Sequence, residues 1–133
     1  MATGDFNHLP AMAAALPEIM SKLIRKCCFD IQAQAMAACP VATGFLKSSI
    51  YVLTKDTNTY GQTQGAGELL PQIPTPSTPL VGYVGVGATY GIWVEMGSKH
   101  GPAQPYLMPA AEAALPAFQQ AAQALEDHLK QVT

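Results

Sequence analysis

Charge is the scarcest commodity in this sequence. Only 12% of its 133 residues are Asp, Glu, Lys or Arg, against about 25% in an average soluble domain. Seven basic and nine acidic side chains leave a net charge of −2, so the basic footprint with which a protein grips nucleic acid is absent. Long apolar runs are missing too. None reaches the roughly 18 residues that a membrane-spanning helix needs, and no charged segment leads into an apolar one in the manner of a signal peptide. Neither a membrane span nor a secretion signal is expected.

Cysteine is confined to Cys27, Cys28 and Cys39. An odd count with two neighbours is a poor disulfide framework, and there is no C-x-x-C pair for zinc or redox chemistry. If all three lie on one helix, Cys28 and Cys39 stand about 16 Å apart along its axis and cannot bond. They read as small core side chains in a reducing compartment. His8, His100 and His128 are scattered, none at ligand spacing with another His or Cys, so no metal site and no cofactor are expected.

What the chain does have is alanine. Its apolar share is 49%, but 21 of those residues are Ala, while Leu, Ile, Val and Phe together number 29. That supplies one core, in keeping with a single domain over residues 1–133. So few charges imply much weakly hydrated surface, and the simplest remedy is to cover it with copies of the chain or with partners. The alternative is a compact, Ala-rich monomer with a Gln, Thr and Ser surface.

Residues 1–9 carry no period and read as a flexible arm. From about Pro10 to Ala38 the pattern is helical: Leu16, Met20, Leu23, Cys27, Ile31 and Ala35 recur at steps of three and four, giving one apolar stripe. Pro17 is expected in the first turn, where its missing N–H costs nothing, so that the regular helix begins near Leu16, and Pro40 ends it. Phe45 to Lys55 reads as a strand after a Thr43-Gly44 turn. Residues 56–79 hold three Gly and four Pro with no period, an extended loop too long for an ordinary connection. Pro71, Pro74, Pro76 and Pro79 favour a stiff stretch. It is either an arm reaching a neighbour or a solvated surface loop.

Leu80 to Gly87 alternates with apolar or small residues on both faces, as in a strand covered on two sides or by a second subunit. Ala88 to Met96 is a short aromatic helix or strand. Pro109 to Lys130 is a second helix, with Pro109 suited to its first position and Pro116 inside it. The order predicts an α+β fold: two long helices packed on a small antiparallel sheet, with a long Pro/Gly-rich loop insertion.

The tempting motifs are weak. Gly85-Val86-Gly87 invites a dinucleotide reading, but Tyr90 stands where a third glycine belongs and no βαβ unit surrounds it; glycines allowing close backbone approach on a strand explain it better. Ser48-Ser49 beside Lys47 resembles a nucleophile pair but lacks a completing base. Glu95 is the one carboxylate in an apolar aromatic setting and a candidate general acid or base, yet no second carboxylate or His lies near it in sequence. An ion pair, with Lys47 for instance, or a turn cap suits it better. Lys22, Arg25 and Lys26 read as a solvated helix edge.

Three segments together resemble a known family. Pro40-Val41-Ala42-Thr43-Gly44-Phe45-Leu46-Lys47-Ser48-Ser49-Ile50 is similar to a P-V-x-T-G-x-L-[RK]-x-S-I signature. Val86-Gly87, Tyr90 and Trp93-Val94-Glu95-Met96-Gly97-Ser98 resemble V-G followed by Y-x-x-[YW]-[VI]-E-[FY]-G-[ST]. Gln104-Pro105-Tyr106-Leu107-Met108-Pro109-Ala110 resembles Q-P-F-[LM]-x-P-A. Together they resemble the neck or tail-completion (head–tail connector) proteins of long-tailed bacteriophages. Ala42, Met96 and the long 56–79 insert depart from that pattern.

The resemblance implies a non-enzymatic structural protein at the head–tail junction of the virion, made in the host cytoplasm. It implies a ring, of six or twelve copies, joining head-closure or adaptor proteins to tail-terminator or tail-tube proteins. DNA would pass through the lumen without sequence-specific binding, which a slightly acidic wall suits. No membrane partner is implied. Thr43 and Gly44 would launch the strand, Leu46, Gly97, Pro105 and Pro109 would be structural, and Tyr90, Trp93, Glu95 and Tyr106 would sit at contacts between elements or subunits. The rivals are a tail terminator, a small oligomeric enzyme using Glu95, and a nucleic-acid-binding module.

Overall fold

The computed structural model describes residues 9–40, 44–65, 67–99 and 101–132. The elements run α1 (Leu9–Ala38), α2 (Phe45–Ser48), β1 (Ile50–Thr54), β2 (Gly82–Val86), α3 (Gly91–Met96) and α4 (Leu107–Val132). The two long helices pack together, with α1 lying on a two-stranded antiparallel sheet in which Ile50 faces Val86 and Thr54 faces Gly82. This is the α+β arrangement expected from the sequence. Most of the proposed N-terminal arm lies outside the described residues.

Helix α1 already includes Leu9, so Pro17 is its ninth residue and not part of its first turn. Its Ala-rich sequence favours helix strongly enough to carry one proline that lacks an N–H donor. The most buried described side chains of α1 are Cys28 and Ala35: Ala35 belongs to the expected stripe, whose other members, Leu16, Met20, Leu23, Cys27 and Ile31, are half-buried, and Cys28 lies one residue round from it. The reason is that α1 meets both α4 and the sheet, and two neighbours bury a wider arc than one stripe. Its close seat on β2 depends on Gly82. A Cβ there would stand 2.7 Å from Cys28 Sγ and 2.9 Å from Ile24 Cγ2. Lys22 and Lys26 are exposed and pair with Glu18 and Asp30 one turn away, the solvated edge that was expected, worth little to stability.

The expected strand over Phe45–Lys55 is corrected at its start: residues 45–48 form a helical turn and only Ile50–Thr54 is extended. Local side-chain bonds decide this. Ser48 Oγ donates to the Phe45 carbonyl at 3.1 Å and Ser49 Oγ to the Leu46 carbonyl at 2.7 Å, offering the backbone an alternative to a ladder. The turn also takes Lys47, Ser48 and Ser49 out of the strand.

All five β1 residues are buried, although the helices can cover only one face. The 56–79 segment covers the other. It caps the outer edge of β1 through Thr54 N–H to the Thr57 carbonyl (2.7 Å) and Thr59 N–H to the Val52 carbonyl (3.0 Å). It then crosses the face carrying Tyr51, whose ring meets that of Tyr60 edge-on at 5.1 Å, and Ile73 N–H donates to the Tyr51 hydroxyl. Gly85 leaves room for that tyrosine, since its own Cβ would fall 2.5 Å from the ring. Tyr83 on β2 stays 40% exposed, because the covering segment reaches β1 more fully than β2.

Burial pushes the Cys28 thiol up from 9.0 to about 11, with Cys27 adding to the shift, and it raises the Tyr106 phenol in the same direction. Both are acids that the fold keeps neutral, so the unfolded chain ionises first. Stability is therefore full below about pH 9 and falls as pH rises towards 11. The thermal midpoint should drop as pH rises from about 9 towards 11, and the drop should shrink in Cys28→Ala.

Candidate functional site

The three signature segments meet in space, around Tyr106. That side chain is 1% exposed, and its hydroxyl donates to the Gly91 carbonyl at 2.9 Å. Gly91 must be glycine for α3 to come this close: a Cβ would lie 2.5 Å from Val86 Cγ1, 2.9 Å from the Tyr106 hydroxyl and 3.3 Å from Leu46 Cδ1. Leu46 is buried against the same cluster. Tyr90 packs its ring 6.4 Å from that of Phe45. The first and second segments are tied through Ser49, whose Oγ accepts the Ala88 N–H at 3.1 Å while its carbonyl accepts Gly87 N–H at 2.9 Å. Fully engaged in this way, Ser49 is a structural hydroxyl.

Glu95 ties the second segment to the third. Its Oε1 accepts the N–H groups of Tyr106 (3.1 Å) and Leu107 (2.8 Å), and its Oε2 accepts that of Met108 (3.2 Å). These belong to the start of α4, where backbone donors lack intrahelical acceptors and an anion is favoured by the helix dipole. The carboxylate thus caps a helix eleven or more residues away in sequence; its partners are backbone groups and not Lys47. The cap also explains why α4 starts at Leu107, two residues before the expected Pro109. Leu107 and Met108 donate to Glu95, and Pro109, now the third residue, has no donor to satisfy.

Gly97 closes α3 with φ +85° and ψ 162°, a region open essentially only to glycine. A Cβ there would stand 2.8 Å from the Ala103 nitrogen. Gln104 N–H then donates to the Val94 carbonyl at 2.8 Å, bringing exposed Pro105 and buried Tyr106 into place. At the other end, Gly44 takes φ +78° at the start of α2, so it leads into a helical turn and not directly into a strand; Thr43 lies outside the described residues.

Above this knot the surface is apolar. Tyr90, Ile92, Trp93, Met96 and Met108 are exposed by 39, 58, 60, 73 and 61%. Sequence reading singled out Tyr90 and Trp93 but missed Ile92, Met96 and Met108, as well as Gly91. The signal for the first two was their spacing of four on a six-residue helix too short to bury every side. Two hollows flank the face. One, of about 280 Å³, is lined by Pro40, Tyr90, Trp93, Val94, Pro102 and Gln104 among others. The other, of about 310 Å³, lies between α1, β2 and the start of α4, with Cys28, Ile31, Val84 and Met108 in its walls.

Among the described residues, no three His, Cys, Asp or Glu side chains gather where they could hold a metal ion, and no helix is long and apolar enough to cross a membrane. No family model, curated protein or solved structure matches the chain.

Proposed function

We propose that this protein is a structural component of a bacteriophage head–tail junction: a neck or tail-completion protein that closes into a ring of six or twelve copies around the DNA channel. The observation that carries the reading is the group of five large apolar side chains left in solvent at Tyr90, on the α3 helix it precedes and at the start of α4. On a chain with 12% charged residues, such a face needs a protein partner. The signature residues support the same reading through the work they do. Tyr106 and Glu95 tie the short helix to the start of α4, and Gly91 and Gly97 let it approach closely, so that the apolar side chains are presented from a position set by these bonds. The ring would join head-closure or adaptor proteins to tail-terminator or tail-tube proteins, in virions assembled in the host cytoplasm, with DNA sliding through unbound.

The test is the size and shape of the purified protein, by mass photometry and negative-stain imaging, alone and with head-closure and terminator proteins. Closed rings with a central hole wide enough for duplex DNA are expected, together with no measurable DNA affinity. A dispersed single molecule at every concentration and beside those neighbours overturns the ring. A DNA affinity that falls steeply with salt points instead to a nucleic-acid-binding module.

A further inference from the structure

The two outer edges of the sheet are not alike. On β1, Val52 N–H donates to Thr59 Oγ1 at 2.9 Å and the Val52 carbonyl accepts Thr59 N–H at 3.0 Å, so the backbone groups of Val52 point away from β2. In an antiparallel pair such groups alternate. Tyr51 and Leu53 therefore bond across to Gly85 and Tyr83, while Gly82, Val84 and Val86 turn their N–H and carbonyl groups to the far edge of β2. Among the described residues, nothing bonds the backbone of Val84 on that side. The strand reads Gly-Tyr-Val-Gly-Val, without the lysine or proline that commonly blunts an exposed edge.

The same strand forms part of the hollow of about 310 Å³, which Cys28 and Ile31 of α1, Gly82 and Val84 of β2, and Met108 and Ala111 of α4 line. Glu95 also reaches its walls, but both carboxylate oxygens are already taken by N–H groups at the start of α4. An unpaired edge beside an apolar hollow suits an added strand: its backbone bonds to the edge and its alternate side chains enter the hollow. The other face of that strand would be wet, since Tyr83 next to it stays 40% exposed. The occupant is therefore an extended segment, apolar on one face and polar on the other. Residues 2–7, Ala-Thr-Gly-Asp-Phe-Asn, have that form. They show no helical period, yet Ala2, Gly4 and Phe6 alternate with Thr3, Asp5 and Asn7, placing one large apolar side chain on one face and a charge on the other. They lie outside the described residues and lead into α1 at Leu9. Phe6 cannot reach the hollow of its own chain. Three residues span at most about 11 Å, whereas Leu9 and Cys28 of α1 are separated by about 28 Å along the helix axis.

We propose that residues 2–7 of one copy add as a strand to the open edge of β2 in the next, with Phe6 filling the hollow beside Met108. Arm and hollow are different parts of the chain, so the contact is head-to-tail, the kind that generates a ring when its rotation closes. The inference rests on the ring reading and names a joint for it. Met108 belongs both to the hollow and to the exposed apolar side chains around Trp93, so the docked arm would bring its own α1 up to that face.

Cys28 stands in the wall of the hollow, so a thiol on the arm reports the docking. The full-length Phe6→Cys/Cys27→Ala protein, mildly oxidised at a concentration where it assembles, should give a ladder of disulfide-linked chains on a non-reducing gel, ending at the ring number. Adding Cys28→Ala should abolish the ladder. The Phe6→Asp variant, altered outside the described fold, should keep the thermal midpoint of dilute wild type and assemble only at about tenfold higher concentration or more, as expected when one buried aromatic side chain is lost from a contact. Links that persist without Cys28, or a link within one chain in place of the ladder, overturn the docking. So does a Phe6→Asp protein that assembles like wild type. Wild-type rings with no Cys28-dependent ladder keep the collar and discard this joint. A Cys28-dependent ladder that stops at two chains keeps the docking and discards the ring, because the arms would then be exchanged within a pair.

Discussion

Replacing Tyr106 by alanine is expected to cost about 3–5 kcal/mol, the range for removing a large aromatic side chain from a packed core. The total stability of a domain of this size is about 5–15 kcal/mol, so much of it would go. The side chain is almost wholly buried, and the cavity would open between α3, the start of α4 and the Phe45–Leu46 turn, which no other residue bridges in the same way. Tyr106→Phe separates two contributions. It keeps the ring and removes the hydroxyl's bond to the Gly91 carbonyl, which as an α3 residue keeps its intrahelical partner, for about 1 kcal/mol. Urea denaturation of the three proteins gives the series directly. Equal midpoints for wild type and Tyr106→Ala would mean that the signature segments are not held together by this residue.

Glu95→Ala should cost about 2 kcal/mol, because it removes the acceptor for three backbone donors at the N-terminus of α4 at once; caps and charge-assisted bonds contribute on this scale. Glu95→Gln should recover about half, since one amide oxygen still accepts but the negative charge at the helix end is lost. If Glu95 acts as a cap, both variants should also weaken ring formation in proportion to their loss of stability, because α3 carries the apolar face. Unaltered unfolding and unaltered assembly in Glu95→Ala, alongside loss of some chemical activity in Glu95→Gln, would move the carboxylate from the scaffold to the enzyme rival.

The distribution of strain and close approach supports a platform role for the signature. Gly91 and Gly97 bracket α3, the first because Tyr106 and Val86 leave no room for a Cβ and the second because its backbone dihedrals admit little else. These restraints fix a short helix that would be marginal alone. Its outward residues, Ile92, Trp93 and Met96, gain nothing inside the monomer from being apolar. A rigid mount beneath an apolar surface is what an assembly joint needs, since side chains ordered in advance lose less freedom on docking.

Some of this was legible in the residues alone. The two long helices follow from alanine content and periodicity, the β1–β2 pair from β-branched runs, and the special status of Gly44 from its place in a recognisable turn. Local rules suffice for these because each depends on neighbours within a few positions. The helical turn at Phe45–Ser48 is hidden from sequence because Phe45 and the Ile50–Val52 run that follows favour strands, while the deciding contacts are two serine hydroxyls. The starts of α1 and α4 were each placed too late, at prolines, because a proline inside a helix is tolerated where the surrounding sequence or a remote carboxylate compensates for the missing donor.

Tertiary structure alone decided the rest. Which face of α1 is buried depended on its having two neighbours. That the 56–79 segment forms the missing cover of β1 depended on Tyr51 meeting Tyr60 and Ile73 across the sheet. That Glu95 caps α4 depended on α3 lying against that helix's end. The sequence determined what each segment is able to form, because backbone preference is a local property. Which apolar side chains are covered and which are left for a partner was settled only when the segments met, because burial depends on what stands opposite.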